Sequence, residues 1–306
     1  MKKELLKNNT LIIFLILLVV SSLVSNSFLT GNNLSNLLRQ VAPIGLISIG
    51  MFLVILTGGI DLSVGSIVAT IGVVFALLSY EVYFPVALTI SLALGIGIGL
   101  LSGYLVAYRK IAPFIATLAM MTIVRGAGFL FSKGAPISVG PHSSAILTLG
   151  TGAFLGIPYS AWILMIVFAA VYMVVRYHVF GRKIFAVGSN EEAVRLSGIS
   201  VESVKFSVYV IAAFFTAIAA LMMVGRTGVG TANIGIGLEL DAIAAVVIGG
   251  ASLSGGRGSV LNTLLGVLIL GMIGNIMNLL DVTSYLQQLI KGVIIILAVV
   301  FQRNQK

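Results

Sequence analysis

The stretch Leu56-Thr-Gly-Gly-Ile-Asp-Leu-Ser-Val-Gly-Ser66 sets one carboxylate, Asp61, among helix-breaking glycines inside an apolar run. A backbone that stops being helical inside a bilayer must find its hydrogen bonds in protein or in a water-filled cavity. An ionisable group at that depth is costly and marks a pathway or a partner. The residues to watch are Gly58, Gly59, Asp61, Ser63 and Gly65. A second charged cluster, Glu191, Glu192 and Arg195, lies in the most polar stretch, residues 178–205. Neither group builds an enzyme: no paired carboxylates, nucleophile-base set or metal cluster can be assembled. His142 and His178 are isolated, and cysteine is absent, so no metal site and no thiolate chemistry is expected.

These residues sit in a chain selected against lipid. Of 306 residues 59% are hydrophobic and 9% are charged, where a soluble domain carries about 25% charged residues. The net charge of +9 falls between apolar runs, with no nucleic-acid motif. Apolar runs between turn signals give about ten spans, near 10–29, 41–57, 64–80, 85–108, 113–131, 159–177, 206–224, 240–252, 259–280 and 284–301. The basic Met1–Lys7 ahead of the first run has a signal-peptide outline, but no small-x-small site follows Val24, so an uncleaved first span is expected. With both termini cytoplasmic, thirteen Lys and Arg lie inside against three outside, Arg39, Lys133 and Arg226. The fold expected is all-α: a polytopic integral membrane protein with broken helices, one domain over 1–306, in the cell membrane. The outside segment 132–158 is read as carrying a short interfacial helix, Ser143 to Leu149.

Within the 178–205 loop, Ser189 followed by Glu192 fits a capping box, the two glutamates suit a helix N-terminus, and Gly198 fits its end. Ala193, Val194, Leu196 and Ile199 offer apolar contacts. Two turns of helix are marginal alone in water, so span ends or a partner must hold them. The loop is either a solvated connector or a docking helix for a cytoplasmic subunit. No Walker A pattern occurs, and Gly-Gly-Arg-Gly-Ser at 255–259 lacks the lysine and strand of a phosphate cradle, so it reads as a tight turn. The pattern Gly58-Gly-x-x-Leu-Ser-x-Gly65 recurs as Gly249-Gly-x-x-Leu-Ser-x-Gly256, with Ser252 in place of Asp61. Gly249, Gly250, Ser252 and Ser254 therefore join the candidates for a broken-helix pathway, although glycine and serine are common in such helices.

Three motifs, Gly-Gly-Ile-Asp-Leu-Ser-Val-Gly at 58–65, Gly-Ser-Asn-Glu-Glu-Ala-Val-Arg-Leu-Ser-Gly-Ile at 188–199 and Gly-Gly-Ala-Ser-Leu-Ser-Gly-Gly-Arg-Gly-Ser at 249–259, carry a resemblance. In this order the chain resembles the inner-membrane permease of ribose/xylose/arabinose/galactose-type ABC importers, from about Leu34 to Val300. The resemblance implies a transport subunit without its own ATPase, working as a pair. A separate cytoplasmic ABC ATPase would bind ATP and Mg, and an extracytoplasmic sugar-binding protein would deliver the substrate. It also implies that Ser189, Asn190, Glu191, Glu192, Ala193, Arg195, Leu196 and Gly198 contact the ATPase. Membrane lipid is the remaining partner, and no nucleic acid is expected. Ribose leads as substrate, followed by other pentoses, hexoses and autoinducer-2.

The remaining polar residues have two readings each. Gly95, Gly99 and Gly103 form a ladder for close helix packing. Asn275 and Asn278 share a stripe with Gly271 and Gly274 that either lines a sugar path or bonds between helices, the second being favoured. Arg125 either pairs with Asp61 or snorkels to the outer interface. Glu239 and Asp241 begin a span outside, and could meet a binding protein. A lone tryptophan, Trp162, argues against an aromatic sugar clamp. A ten-span secondary carrier, the rival, should show two inverted halves, and none is obvious.

Overall fold

The computed structural model describes residues 9–303. They run α1 (Asn9–Val24), α2 (Gly31–Leu56), α3 (Val64–Glu81), α4 (Phe84–Ala107), α5 (Pro113–Ser132), β1 (Ile137–Ser138), α6 (Ala145–Thr151), β2 (Ala153–Phe154), β3 (Ile157–Pro158), α7 (Tyr159–Tyr177), α8 (Val179–Ser189), α9 (Glu191–Leu196), α10 (Val201–Thr227), β4 (Val229–Gly230), α11 (Leu238–Ile248), α12 (Val260–Leu279) and α13 (Ser284–Arg303), with a 3-10 turn at Pro141–Ser143. Among the described residues, seven helices are long and apolar enough to cross a membrane: α2, α3, α4, α5, α7, α10 and α12. The strands are two-residue antiparallel pairs, β1 with β4 and β2 with β3. The fold is thus the all-α polytopic one expected. Met1–Lys7 and Lys306 lie outside the described residues.

Four spans differ from the hydropathy reading. The expected 10–29 span is α1, which ends at Val24 after 16 residues and is not among the seven. The expected 206–224 span is α10, which runs 27 residues from Val201 to Thr227. The expected 41–57 span starts at Gly31, capped by the Thr30 side chain, and runs 26 residues. Its first turns are polar, but their side chains find protein partners: Asn33 and Asn275 exchange two amide hydrogen bonds at 3.0 and 2.9 Å, and Arg39 donates to Thr151 O at 2.7 Å. The expected 240–252 span is α11, only 11 residues. At 1.5 Å per residue it covers about 16 Å, roughly half of a hydrocarbon core. The expected interfacial helix is α6, two residues later than expected, preceded by the 3-10 turn.

α10 is the central post. Small residues let its neighbours reach its backbone. A Cβ on Gly95 or Gly99 would lie 2.5 or 2.6 Å from the Cβ of Ala217 or Ala213, and one on Gly103 would lie 3.0 Å from Phe206 O. Gly50 of α2 meets Ala212 in the same way. The most apolar windows of α2, α3 and α10 are 78%, 72% and 67% buried, against 28% each for α4, α5 and α7. The bundle is therefore an inner group of helices sheathed by an outer group that keeps large apolar side chains on its surface.

Candidate coupling and translocation sites

α2 ends in a Schellman motif. Gly58, in the left-handed region at φ +78°, donates to Ile55 O, and Gly59 donates to Val54 O. The positive φ thus falls on Gly58. Gly59 is held small by its surroundings, since a Cβ there would lie 2.6 Å from the Tyr209 hydroxyl. The chain then stays non-helical until Val64. The contacts here satisfy its freed polar groups. Ile60 O accepts from Tyr209 Oη at 3.2 Å and Thr117 Oγ1 at 3.4 Å. Asp61, 1% exposed, accepts from Ser63 N at 2.9 Å and Ser63 Oγ at 2.6 Å, an Asx turn. That places the carboxylate ahead of the first turn of α3, where the helix dipole favours negative charge.

The second glycine pair uses the same device one residue later. Gly250, at φ +81°, donates to Val247 O, and Ala251 donates to Val246 O. Gly249 takes the packing role, with Asn262 O 2.7 Å from a would-be Cβ. After it the chain folds into a tight turn in which Gly255 and Gly256 both have positive φ and Ser252 N donates to Arg257 O at 2.9 Å. Ser252 Oγ and Ser254 Oγ lie 2.8 Å apart at the surface. Residues 255–259 are a turn, as expected.

The two breaks and the 178–205 loop meet. Gly256 N donates to Leu56 O, the last carbonyl of α2, at 2.9 Å. A Cβ on Gly255 would lie 2.9 Å from Gly58 N and 3.0 Å from Gly188 O. A Cβ on Gly188 would collide with Leu56 O, and one on Gly256 would lie 2.5 Å from Ser189 Oγ. Three separated motifs thus share one close junction, backbone against backbone apart from the Ser189 hydroxyl beside Gly256.

From this junction α8 leads into α9. The cap of α9 is Asn190, whose side chain accepts from Ala193 N at 3.0 Å. The capping box expected at Ser189 is absent, because Ser189 ends α8 and its hydroxyl donates to Phe185 O. Gly198, at φ +75°, ends α9 in a third Schellman motif with Ile199 N on Val194 O. Arg195 pairs with Glu191, Glu192 and Glu202 at 3.1, 3.5 and 3.4 Å, and Lys205 pairs with Glu191. The Lys205 hydrogen bond, with Lys205, Arg195 and Lys110 charges around it, holds the Glu191 carboxyl below its usual range. These pairs brace α9 on α10, with Val194 buried beneath. Glu192, Ala193 and Leu196 face outward, and Leu196 is 81% exposed. A cavity of about 180 Å³ opens beside them between Lys110, Pro113, Glu191, Arg195 and Glu202.

Other candidates lie elsewhere. Asn275 is spent on Asn33, between α12 and α2, while Asn278 is exposed and accepts from Gln287 at 2.8 Å. Arg125 neither pairs with Asp61 nor snorkels: it donates to Ala232 O at 2.7 Å and Ile234 O at 3.0 Å. Those carbonyls belong to residues 228–237, a non-helical segment not anticipated in the sequence, which is strand only at Val229–Gly230 and then a run of turns. Glycines at 228, 230, 235 and 237 were its signal. Glu239 and Asp241 lie in the first turn of α11, as expected, but α11 follows a segment that runs along α3 from Gly72 to Gly65 and is itself only 11 residues long. A Cβ on Gly65 would lie 2.5 Å from Glu239 Oε2, and Asp241 pairs with Lys291 at 2.8 Å.

The family described as "Branched-chain amino acid transport system / permease component" matches residues 33–299. The chain is 43% identical over 308 residues to the ribose import permease protein RbsC of Escherichia coli K12, covering 100% of this chain and 96% of that one. It is 43% identical to RbsC of Bacillus subtilis, covering 95% and 90%. The L-arabinose ABC transporter permease protein AraH of Azospirillum brasilense is 39% identical, covering 98% and 89%. No solved structure matches. With full-length relatives of this kind and seven helices of spanning length, this is a multi-pass inner-membrane protein and a transport component rather than an enzyme. The chain belongs to the family of inner-membrane permease subunits of ribose/xylose/arabinose/galactose-type ABC importers.

Proposed function

We propose that this chain is the translocation subunit of a ribose importer. The observation that carries the reading is 43% identity along the entire chain to a ribose import permease. Two copies form the pathway, a separate ATPase binds ATP and Mg, and an extracytoplasmic binding protein delivers the sugar. Transport is by alternating access, the two states differing in what binds them. The three-motif junction supports the coupling part of this reading: α9 stands on the surface, and α8 joins it to the end of α2 without compressible side chains. Leu196 and Glu192 are the outward residues that a groove on the ATPase would take.

The test is reconstitution in liposomes with the ATPase and binding protein. ATP-dependent ribose uptake, competed weakly by arabinose and xylose, is expected. Accumulation by this chain alone on a proton or sodium gradient would refute the importer reading. Glu192→Lys and Leu196→Asp should lower co-purification of the ATPase, since a misplaced interface charge disfavours a complex. Arg195→Glu should do so too, by releasing α9 from its brace.

A further inference from the structure

We propose that the exposed edge of the non-helical segment 228–237, with Asn233 and Ile236 on it, lines the water-filled sugar path. The inference rests on the transport reading above and assigns the path to residues outside the three motifs.

The segment lies deep in the bundle. Arg125, which holds its carbonyls, is 12 residues into the 20-residue α5. That is about 18 Å along a helix about 30 Å long. One flank packs on α3 through glycine alone: Gly230 lies against Gly72 O, and Gly235 against Gly65 O. No side chain of larger size fits between these backbones. β4 hydrogen bonds to β1 at the upper end, and Glu239 Oε1 accepts from Gly237 N at 3.2 Å at the lower end.

The opposite edge is open. Asn233 is exposed, and Ile236 is 74% exposed. Lipid cannot cover this edge. Non-helical backbone at membrane depth is tolerated where it is buried in protein or lines a wet cavity. An amide side chain in hydrocarbon without a partner costs roughly 2–7 kcal/mol. Facing water, the same amide and the neighbouring peptide groups offer donors and acceptors suited to the hydroxyls of a neutral sugar. The Arg125 guanidinium is directed onto the backbone carbonyls of the segment, so that the path presents neutral polar groups.

The chain has no cysteine, which makes single-cysteine accessibility a clean probe. Asn233→Cys and Ile236→Cys are compared with Ile123→Cys and Ile166→Cys, whose native side chains are each 64% exposed on the outer helices α5 and α7. Ile123 stands two residues from Arg125, so it controls for depth. Each variant is assembled with ATPase and binding protein in membranes and treated with a membrane-impermeant thiol reagent. Because the reactive form is the thiolate, which apolar surroundings disfavour, the two segment positions should react about tenfold or more faster than the controls. Ribose during turnover should slow them. Reaction at the control rate, in variants that still take up ribose, would overturn the assignment. So would spontaneous disulfide formation between two copies at Asn233→Cys, which would make the edge a subunit interface. Fast reaction without any ribose uptake would refute the substrate reading and leave the wet edge standing.

Discussion

The helix breaks at 58–65 and 249–256 share the pattern Gly-Gly-x-x-Leu-Ser-x-Gly yet do different work. In the first, the leading glycine reverses the chain; in the second, the following glycine does. The first then runs through the protein interior, where Asp61, Tyr209 and Thr117 satisfy its backbone, and continues as α3. The second turns back at the surface, with Ser254 exposed and its serine hydroxyls facing one another. A matched motif therefore conserves the end of a helix while leaving the register and the surroundings of the next residues free. The carboxylate at the third position after the leading glycine is what the buried copy needs and the surface copy does not.

The strongest way to break this comparison is to wedge the two loops apart where they meet. Gly188→Val places a branched side chain against Leu56 O and Gly256 N. We expect loss of most folded protein from the membrane, measured as monodisperse yield in detergent, whereas Gly274→Val, at a site with open space, should express normally. Next in size is Asp61→Leu, which strands the N–H and hydroxyl of Ser63 in a buried site. The cost is about 1–3 kcal/mol per stranded group, read as a lowered thermal midpoint and lost uptake. Asp61→Asn keeps an acceptor and should retain a large part of both.

A smaller effect concerns the third member of the junction. Glu191 is held deprotonated by Lys205, so its native pKa lies below the unfolded value of about 4.3. Its stabilisation is complete above that unfolded value and fades as pH falls through the native one. Proteolysis of the 178–205 loop should therefore accelerate on acidification in the native chain. In Glu191→Gln it should be faster at neutral pH and lack that acid step. Both groups are partly exposed, so the gain is about 0–1 kcal/mol. Smallest of all, Ser252→Ala and Ser254→Ala should change the midpoint by less than about 0.5 kcal/mol-equivalent, as surface substitutions do. A larger loss would give the second break a buried role like the first.

What the sequence made legible followed from apolar length and glycine. The spans at 64–80, 85–108, 113–131 and 159–177 match α3, α4, α5 and α7 within a residue or so. The Gly95 ladder packs as its spacing implies. The helix that ends at Gly198 was visible, but its cap was misread. Ser189 and Asn190 are equally good caps on paper, and α8, which consumes Ser189, was hidden inside a stretch that looked like a solvated loop. Hydropathy also misplaced the start of α2, since it counts Asn33 as repelled by the bilayer and cannot see Asn275 waiting 242 residues away. The same blindness turned α11 into an ordinary span, 240–252, and left Gly228–Gly237 as an outside connection. Only tertiary partners, Arg125 above all, make a non-helical backbone tolerable there.

That dependence has a consequence for biogenesis. α11 is too short to enter a bilayer as a transmembrane unit by itself, and in the non-helical residues before it Ala232 O and Ile234 O lack the Arg125 guanidinium until α5 stands beside them. The chain between α10 and α12 therefore has to be placed after insertion, by docking onto helices already in the membrane. Arg125 acts in that order of events as a receptor for incoming backbone, and a chain lacking it would insert its long helices yet leave this stretch outside, an unfinished protein of correct topology elsewhere.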